Sequence, residues 1–539
     1  MPSPFHHKVQ QLREASTRFD PSSNALKLSL IDSISQGRIP FNETLQDYFE
    51  CLLFLLAFPP DGKTEKTAEK EIGRIAGLLK KQPESVRDRF VNSGIPFCGY
   101  RAAYSHDCTR WLLAHPDCTV SIHSIEDTLF DLGTALKVTL PAQLRSATTA
   151  GWTSRELLDE LMPDEKKQLS YIIHELGRLD STPYIKDHYY EGLGIYTDIT
   201  PKNKRLSKAY NRIAIPETFY HTEILKHFDV AELLDRKLPA EAELSAAEKQ
   251  DLVRVIKNAM VVTERETDTT TYMLENSVRL FHLERGVSVA IYGMQANRQL
   301  PMESFIGNTM FRNGYPVAYS GGWVFGHRAD FGLNIFDPYR GGESAFMVAQ
   351  ALRVYRQVFD IRHFQIEASQ FGLDNPEGIQ TGIFWFYYKL GFRPDTAALR
   401  QMAISEQKKI VLRKGYRSSE KTLLKFTESN ISLKGKGPVQ QGVYDITSKV
   451  KQMITRKYQG NSTEAEEACV SAFLAKTGRQ DAFTKEETEV LKQVSLWAAA
   501  MNITDKKQLH LLLETVKLKP VDEYRYQATL RQFFGDKYQ

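Results

Sequence analysis

Along the first 240 or so residues, apolar positions recur at helical spacing. Leu45, Tyr48, Phe49, Leu52 and Leu56 mark one helix, ended by Pro59-Pro60. Ala68, Ile72, Ile75 and Leu79 mark a second, ended before Pro83. Thr153-Ser-Arg-Glu156 has capping-box spacing and opens a helix through Leu157, Leu158 and Leu161. Asp164 caps the next, whose face is Leu169, Ile172, Ile173 and Leu176 and which Gly177 stops. The polar, Ala-rich stretch 237–250 reads as a linker or a short exposed helix.

Beyond it the texture changes. Met260 to Arg265 reads as a strand, Tyr272 to Glu284 as a helix, and Val287 to Tyr292 as a strand. Pro316 to Phe325 reads as another strand, with a bulge expected at Gly321-Gly322. Phe331, Leu333 and Ile335 alternate with other residues, the period of a strand with one buried face. Arg340-Gly341-Gly342 breaks that strand, and Ala345, Val348, Leu352, Tyr355 and Val358 resume helical spacing. A strand at Phe364 to Ala368, a helix at Ile379 to Leu390 and a strand after Gly391-Phe392 follow. Past residue 400 the helical pattern returns, with a capping-box spacing at Thr484 to Glu487 and faces through Leu491, Val494 and Trp497 and through Leu509, Leu512 and Val516. The pattern predicts an α+β chain: a helical region over 1–245, a mixed-sheet domain over 255–400, and a helical, basic region over 401–539.

Composition narrows the class without choosing a function. At 539 residues, with 42% apolar and 25% charged residues, the chain has the make-up of a soluble protein of two to four domains. The longest apolar run, around Cys51 to Phe58, is far below the roughly 20 residues a membrane span needs. Its N-terminus lacks the apolar core of a secretory signal, so a cytoplasmic location with no membrane contact is expected. Cys98, Cys108 and Cys118 lie near His106, His115 and His123, but no close ligand pair is present. Reduced core cysteines and no metal are therefore expected. Net charge is only +4, yet residues 408–457 hold 13 Lys/Arg against Glu420, Glu428 and Asp445. Such a block suits RNA, an acidic acyl carrier protein or cofactor phosphates as partner, or is simply a solvated helix face.

The chemistry concentrates around the strand–turn–helix. A helix that begins after a glycine turn leaves its first amides, Glu343 to Ala345, without intrahelical partners, at the positive end of its dipole. Phosphates and pyrophosphates seat well there. The sequence Arg340-Gly-Gly-Glu-Ser-Ala345, followed about fifty residues later by Tyr387-Tyr-Lys-Leu-Gly-Phe392, resembles the Gcn5-related N-acetyltransferase (GNAT) superfamily over about residues 258–400. The order of strands and helices is similar too. The resemblance implies a GNAT-like mixed sheet and an acyltransferase using acyl-CoA or an acyl-carrier thioester. It implies a turn of the form R/Q-x-x-G-x-G/A that binds pyrophosphate, with Ile335, Arg340, Gly341, Gly342, Ser344, Ala345 and Asn375 as the cofactor-binding set. Two positions depart from the family pattern. Glu343 stands where its first glycine is usual and is expected to repel a pyrophosphate, and Gln380 and Ile383 replace an Asn/Ala pair.

Transfer from a thioester to an amine or hydroxyl of a small-molecule or peptide acceptor needs a base, an oxyanion stabiliser and an acid for the thiolate. Tyr387 stands where the family places its acid. Asp330 is the first candidate for the base and His327 the second. Glu303, Arg328, Asn334, Glu367 and Gln370 interrupt apolar strands nearby, which favours a cleft, and Trp323 and Trp385 offer an aromatic surface. A non-catalytic, partner-binding module of the same fold and an aminoacyl-tRNA-dependent transferase remain the alternatives.

Overall fold

Two sheets organise the chain in the computed structural model, which describes residues 3–179, 182–435, 440–478 and 482–535. The first is small and antiparallel: β1 (Tyr100–Ala103), β2 (Cys118–Ile125) and β3 (Ile195–Pro201), in the order β1-β3-β2. It lies inside the region whose pattern reads as all helix. That region also carries helices, beginning with Pro4–Ser16, Pro21–Ser35, Glu43–Ala57 and Gly62–Lys80, and a stretch over 202–229 without helix or strand.

The second sheet has eight strands: β4 (Arg279–His282), β5 (Val287–Tyr292), β6 (Ser304–Arg312), β7 (Tyr315–Phe325), β8 (Arg328–Ile335), β9 (His363–Ile366), β10 (Arg393–Pro394) and β11 (Ile431–Lys434). Their order is β10-β11-β9-β8-β7-β6-β5-β4. Every neighbouring pair is antiparallel except β8 and β9, which run parallel around the helix Ser344–Phe359, called here the turn helix. A parallel pair needs such a crossover. The chain is thus α+β, a mixed sheet with helices on either side of it in sequence.

Three local expectations are corrected. Met260 and Val261 end a helix, Ala246–Val261, that Ser245 and Glu248 close with a capping box; its Leu252, Val255 and Ile256 are buried against the sheet's Ala290 and Phe311. The stretch Tyr272 to Glu284 is a turn and β4 rather than a helix, because Leu280 and Phe281 pair with Ala290 and Val289. The bulge in β7 falls at Val317, where the register slips between Met310 and Phe311 of β6, and not at the glycines. Gly321 and Gly322 pair regularly; a Cβ on them would lie 2.4 Å from the Phe305 ring and 2.6 Å from the Tyr355 ring. Their role is close approach of aromatic side chains.

The expected boundaries at 245 and 400 do not divide the packing. One apolar cluster runs from Val9, Phe49 and Phe58 through Met310, Phe331 and Tyr355 to Phe392, Phe426 and Ile431. On the other side, the C-terminal helices bury Met302 and Phe325 against Trp497, Leu512 and Phe533. Gln527 there bonds Val324 O at 2.8 Å and accepts from Gly326 N at 2.9 Å. A fragment of residues 255–400 would expose these apolar faces and lose β11. It is expected to aggregate on expression; a soluble fragment with a sharp two-state melt would show the flanks to be independent.

Candidate functional site

The turn after β8 is built by sequence in three steps. Asp337–Tyr339 makes one 3₁₀ turn, Gly341 takes φ +90°, a region that favours glycine, and the turn helix starts at Ser344. Gly342 lies against the end of the helix Glu43–Ala57: a Cβ on it would meet Phe58 at 2.5 Å. No side chain caps the helix, and the amides of Ser344, Ala345 and Phe346 meet no acceptor among the described residues; the first intrahelical bond is Met347 N to Glu343 O. Three free amides at a helix start form an anion seat.

Glu343 does not face that seat as a bare charge. Its carboxylate is fully buried and accepts from Arg285 Nη2 at 2.5 Å, Arg312 Nη2 at 2.6 Å and Leu225 N at 2.8 Å. Burial by itself would raise its pKa, but the hydrogen bond from Arg285 and the charge of Arg312 outweigh it and hold the carboxyl below its usual range. Burial brings Arg312 down to about 10, still cationic at neutral pH. His221 beside them is held neutral, its pKa lowered by burial and then by Arg312 to about 3. The trio carries net charge +1, so the repulsion expected of Glu343 is replaced by a weakly attractive cluster beneath the turn.

Arg340 is exposed and already engaged. It pairs with Glu377 at 2.7 Å and Asp337 at 3.1 Å, and its Nε donates to Ile335 O at 3.4 Å. Asn375 caps the helix Pro376–Thr381 through Gly378 N at 3.0 Å and donates to Ser369 O at 3.2 Å. Ile335, Arg340 to Gly342, Ser344 and Ala345 are therefore brought together at the turn. Asn375 joins them only through Glu377 on the helix it caps.

β8 and β9 pair at Arg328, Ala329 and Asp330 with His363, Phe364 and Gln365, and no further. Beyond Asp330 the β9-facing edge of β8 meets side chains instead: Gln370 Oε1 accepts from Leu333 N at 3.4 Å, and Arg340 reaches Ile335 O. This gap leads from the paired ends of β8 and β9 toward the glycine turn. Tyr387 lies on the short aromatic helix Ile383–Lys389, fully buried with its ring edge-on to Phe386 and Phe392. Its hydroxyl has no hydrogen bond among the described residues, and burial pushes its pKa well above the ordinary phenol range. Trp385 on the same helix lies edge-on to Phe384, Tyr388 and Phe426 and donates to Ser418.

One face of β7 and β8 carries a polar strip. Asp330 accepts from Arg328 Nε at 3.1 Å, Arg328 Nη2 donates to Gln365 at 2.6 Å, and Gln365 donates to Asp395 at 2.8 Å. Burial raises Asp330's pKa against the pull of Arg328. At the head of β6, Glu303 is pushed up to about 7, by burial first and then by Asp330's charge. Its carboxylate has no hydrogen bond or ion pair among the described residues; only its backbone carbonyl is used, by Lys519. Next to it Phe305 and Trp323 stack at 4.4 Å and 9°, both partly exposed. Sequence reasoning noted Glu303 only as one polar group among several; the available signal was a carboxylate two residues before an aromatic in an apolar strand. His327 sits in the β7–β8 hairpin, beyond the far end of β8 from the glycine turn, with Nδ1 3.0 Å from Asp360 O and 3.2 Å from its carboxylate. It is a hairpin anchor.

His106, His115 and His123 bond Ile173 O, Asn258 and Asp198, the five cysteines are free, and no metal-holding cluster occurs among the described residues. Among those residues no helix is long and apolar enough to cross a membrane. Comparison with protein-family models, curated proteins and solved structures finds no match to this chain.

Proposed function

We propose that the chain is a GNAT-like acyltransferase that moves an acyl group from a thioester, on CoA or on a carrier, to an amine. The observation that carries this reading is the β8–turn–helix–β9 unit: a parallel pair that stops after three positions, with three unmet helix amides at the end of the gap. The sequence resemblance and the order of β8, turn helix, β9, aromatic helix and β10 agree with it. Ser344, Ala345 and Phe346 amides would hold a phosphate of the donor, with the net positive Glu343 cluster behind them. Phe305 and Trp323 give an acceptor a flat apolar surface beside two carboxylates.

The roles follow from protonation. Glu303, with an unpartnered carboxylate tuned to neutrality, takes the proton the amine sheds as its nitrogen bonds the thioester carbon. Asp330, tied to Arg328, helps hold an ammonium. Tyr387 gives its phenol proton to sulfur as the C–S bond breaks and recovers it from solvent. A raised pKa keeps that phenol protonated until it is needed.

The test is thiol release from acetyl-CoA and from an acyl-carrier thioester in the presence of a set of primary amines. Turnover that needs both donor and amine supports the reading. No turnover with any pair, and no donor bound in a native mass spectrum, would overturn it. With activity in hand, kcat/KM should rise with pH and level off above about 7, and Glu303→Gln should abolish that limb and lower kcat about 10²-fold. Stability should move the opposite way. The folded pKa is raised from 4.5, so ionisation of Glu303 costs stability as pH rises through 4.5 toward about 7. Glu303→Gln should therefore melt higher than the native protein at about pH 8 and no higher at about pH 4. An inactive variant that is also less stable at high pH would indicate a structural role instead.

A further inference from the structure

The exposed end of the helix Ala397–Leu412 combines two properties that surfaces usually separate. Val411 and Leu412 are 77% and 80% exposed, Ile404 lies on the same exposed side, and Leu424 is exposed on the next helix, Glu420–Phe426. Ile404, Lys408 and Val411 follow i, i+4, i+7 spacing and share one face. Around them Lys408, Arg413, Lys414, Arg417 and Lys421 have no carboxylate partner among the described residues, whereas Lys409, Lys425 and Lys434 are paired with Glu406, Glu428 and Asp395. Aliphatic side chains within a basic rim make a protein-docking surface for an acidic partner. A nucleic-acid strand would instead call for aromatic stacking platforms, and Tyr416 here is tied to Glu406.

The patch adjoins the candidate donor channel. Helix Glu420–Phe426 packs on Pro376–Thr381, whose Glu377 holds Arg340, and Ser418 between the two patch helices bonds Trp385 of the aromatic helix. The glycine turn has spent its own arginine on two carboxylates, which suits a donor bringing one phosphate on a protein-borne arm better than one bringing the several phosphates of free CoA. We infer that the 404–424 surface docks an acidic carrier protein that presents the acyl thioester to the β8–β9 gap. This rests on the acyl-transfer reading and names its donor.

The full-length chain is titrated with a holo acyl carrier protein of the fatty-acid-synthesis type, at low and at physiological salt. Binding should weaken with salt, and Val411→Asp and the double variant Lys408→Glu/Lys421→Glu should each lower affinity about 10-fold or more with unchanged melting. No carrier binding, or binding indifferent to both variants, overturns the inference. So does competition by a single-stranded RNA oligonucleotide through the same residues, or a self-association that the variants abolish. Thiol release from acetyl-CoA on the same preparations separates the two proposals. Transfer from CoA without carrier binding removes the docking surface alone, whereas carrier binding without transfer from either donor removes the acyl-transfer reading.

Discussion

Glu343→Gly is expected to cost the protein about 3–5 kcal/mol and not to improve anion binding. From sequence the carboxylate stands in the turn, where a like charge would oppose a phosphate. In three dimensions it is the sole acidic member of a sealed cluster holding Arg285, Arg312 and the Leu225 amide. Removing it leaves Arg312, fully buried, without its counter-ion, and frees a segment around Leu225 that packs over the turn. Glycine also removes the side chain that fixes the start of the turn helix. Denaturant unfolding of the two proteins checks this, and Glu343→Gln, which keeps hydrogen-bond acceptance but not the charge, should lose nearly as much. A Glu343→Gly protein as stable as the native one would mean that the arginines find water and that the cluster is not structural.

What the sequence made visible was local and periodic. Phe331, Leu333 and Ile335, the glycine break and the run Ala345 to Val358 give β8, the turn and the turn helix, because each has one buried face and one clear stop. β6 escaped notice because it is buried on both faces and its Asn308, Thr309 and Arg312 interrupt the apolar pattern; their partners are Tyr355, Tyr292 and Glu343. Met260 and Val261 look like strand by propensity, yet they end a helix whose Leu252, Val255 and Ile256 pack against β5 and β6. β11 was hidden by the helices on either side of it. The site divides in the same way. Residues of the turn could be named from spacing alone, but Glu303's protonation and the direction of Glu343's side chain depend on groups that only the fold assembles. No one-dimensional pattern carries them.

Tyr387→Phe is expected to lower turnover by about 10²–10⁴-fold while leaving fold and donor affinity in place. The ring is packed edge-on to Phe386 and Phe392 and phenylalanine keeps those contacts. The hydroxyl is the only part lost, and it bonds nothing among the described residues, so the fold loses no hydrogen bond with it. The hydroxyl has no protein partner to lose, so Tyr387→Phe should melt no lower than the native protein. That sign separates an acid held ready for a leaving group from a structural tyrosine, whose loss would lower the melting point. The neighbouring Tyr388, one step and about 100° round the helix, lies under the Arg393 guanidinium at 3.8 Å. Tyr388→Phe keeps that stacking and should change turnover little. A substrate with a better thiol leaving group should restore much of the rate to Tyr387→Phe, because less protonation is then required of the enzyme. Full activity of Tyr387→Phe with an ordinary thioester would take the phenol out of the mechanism and leave the aromatic helix as packing alone.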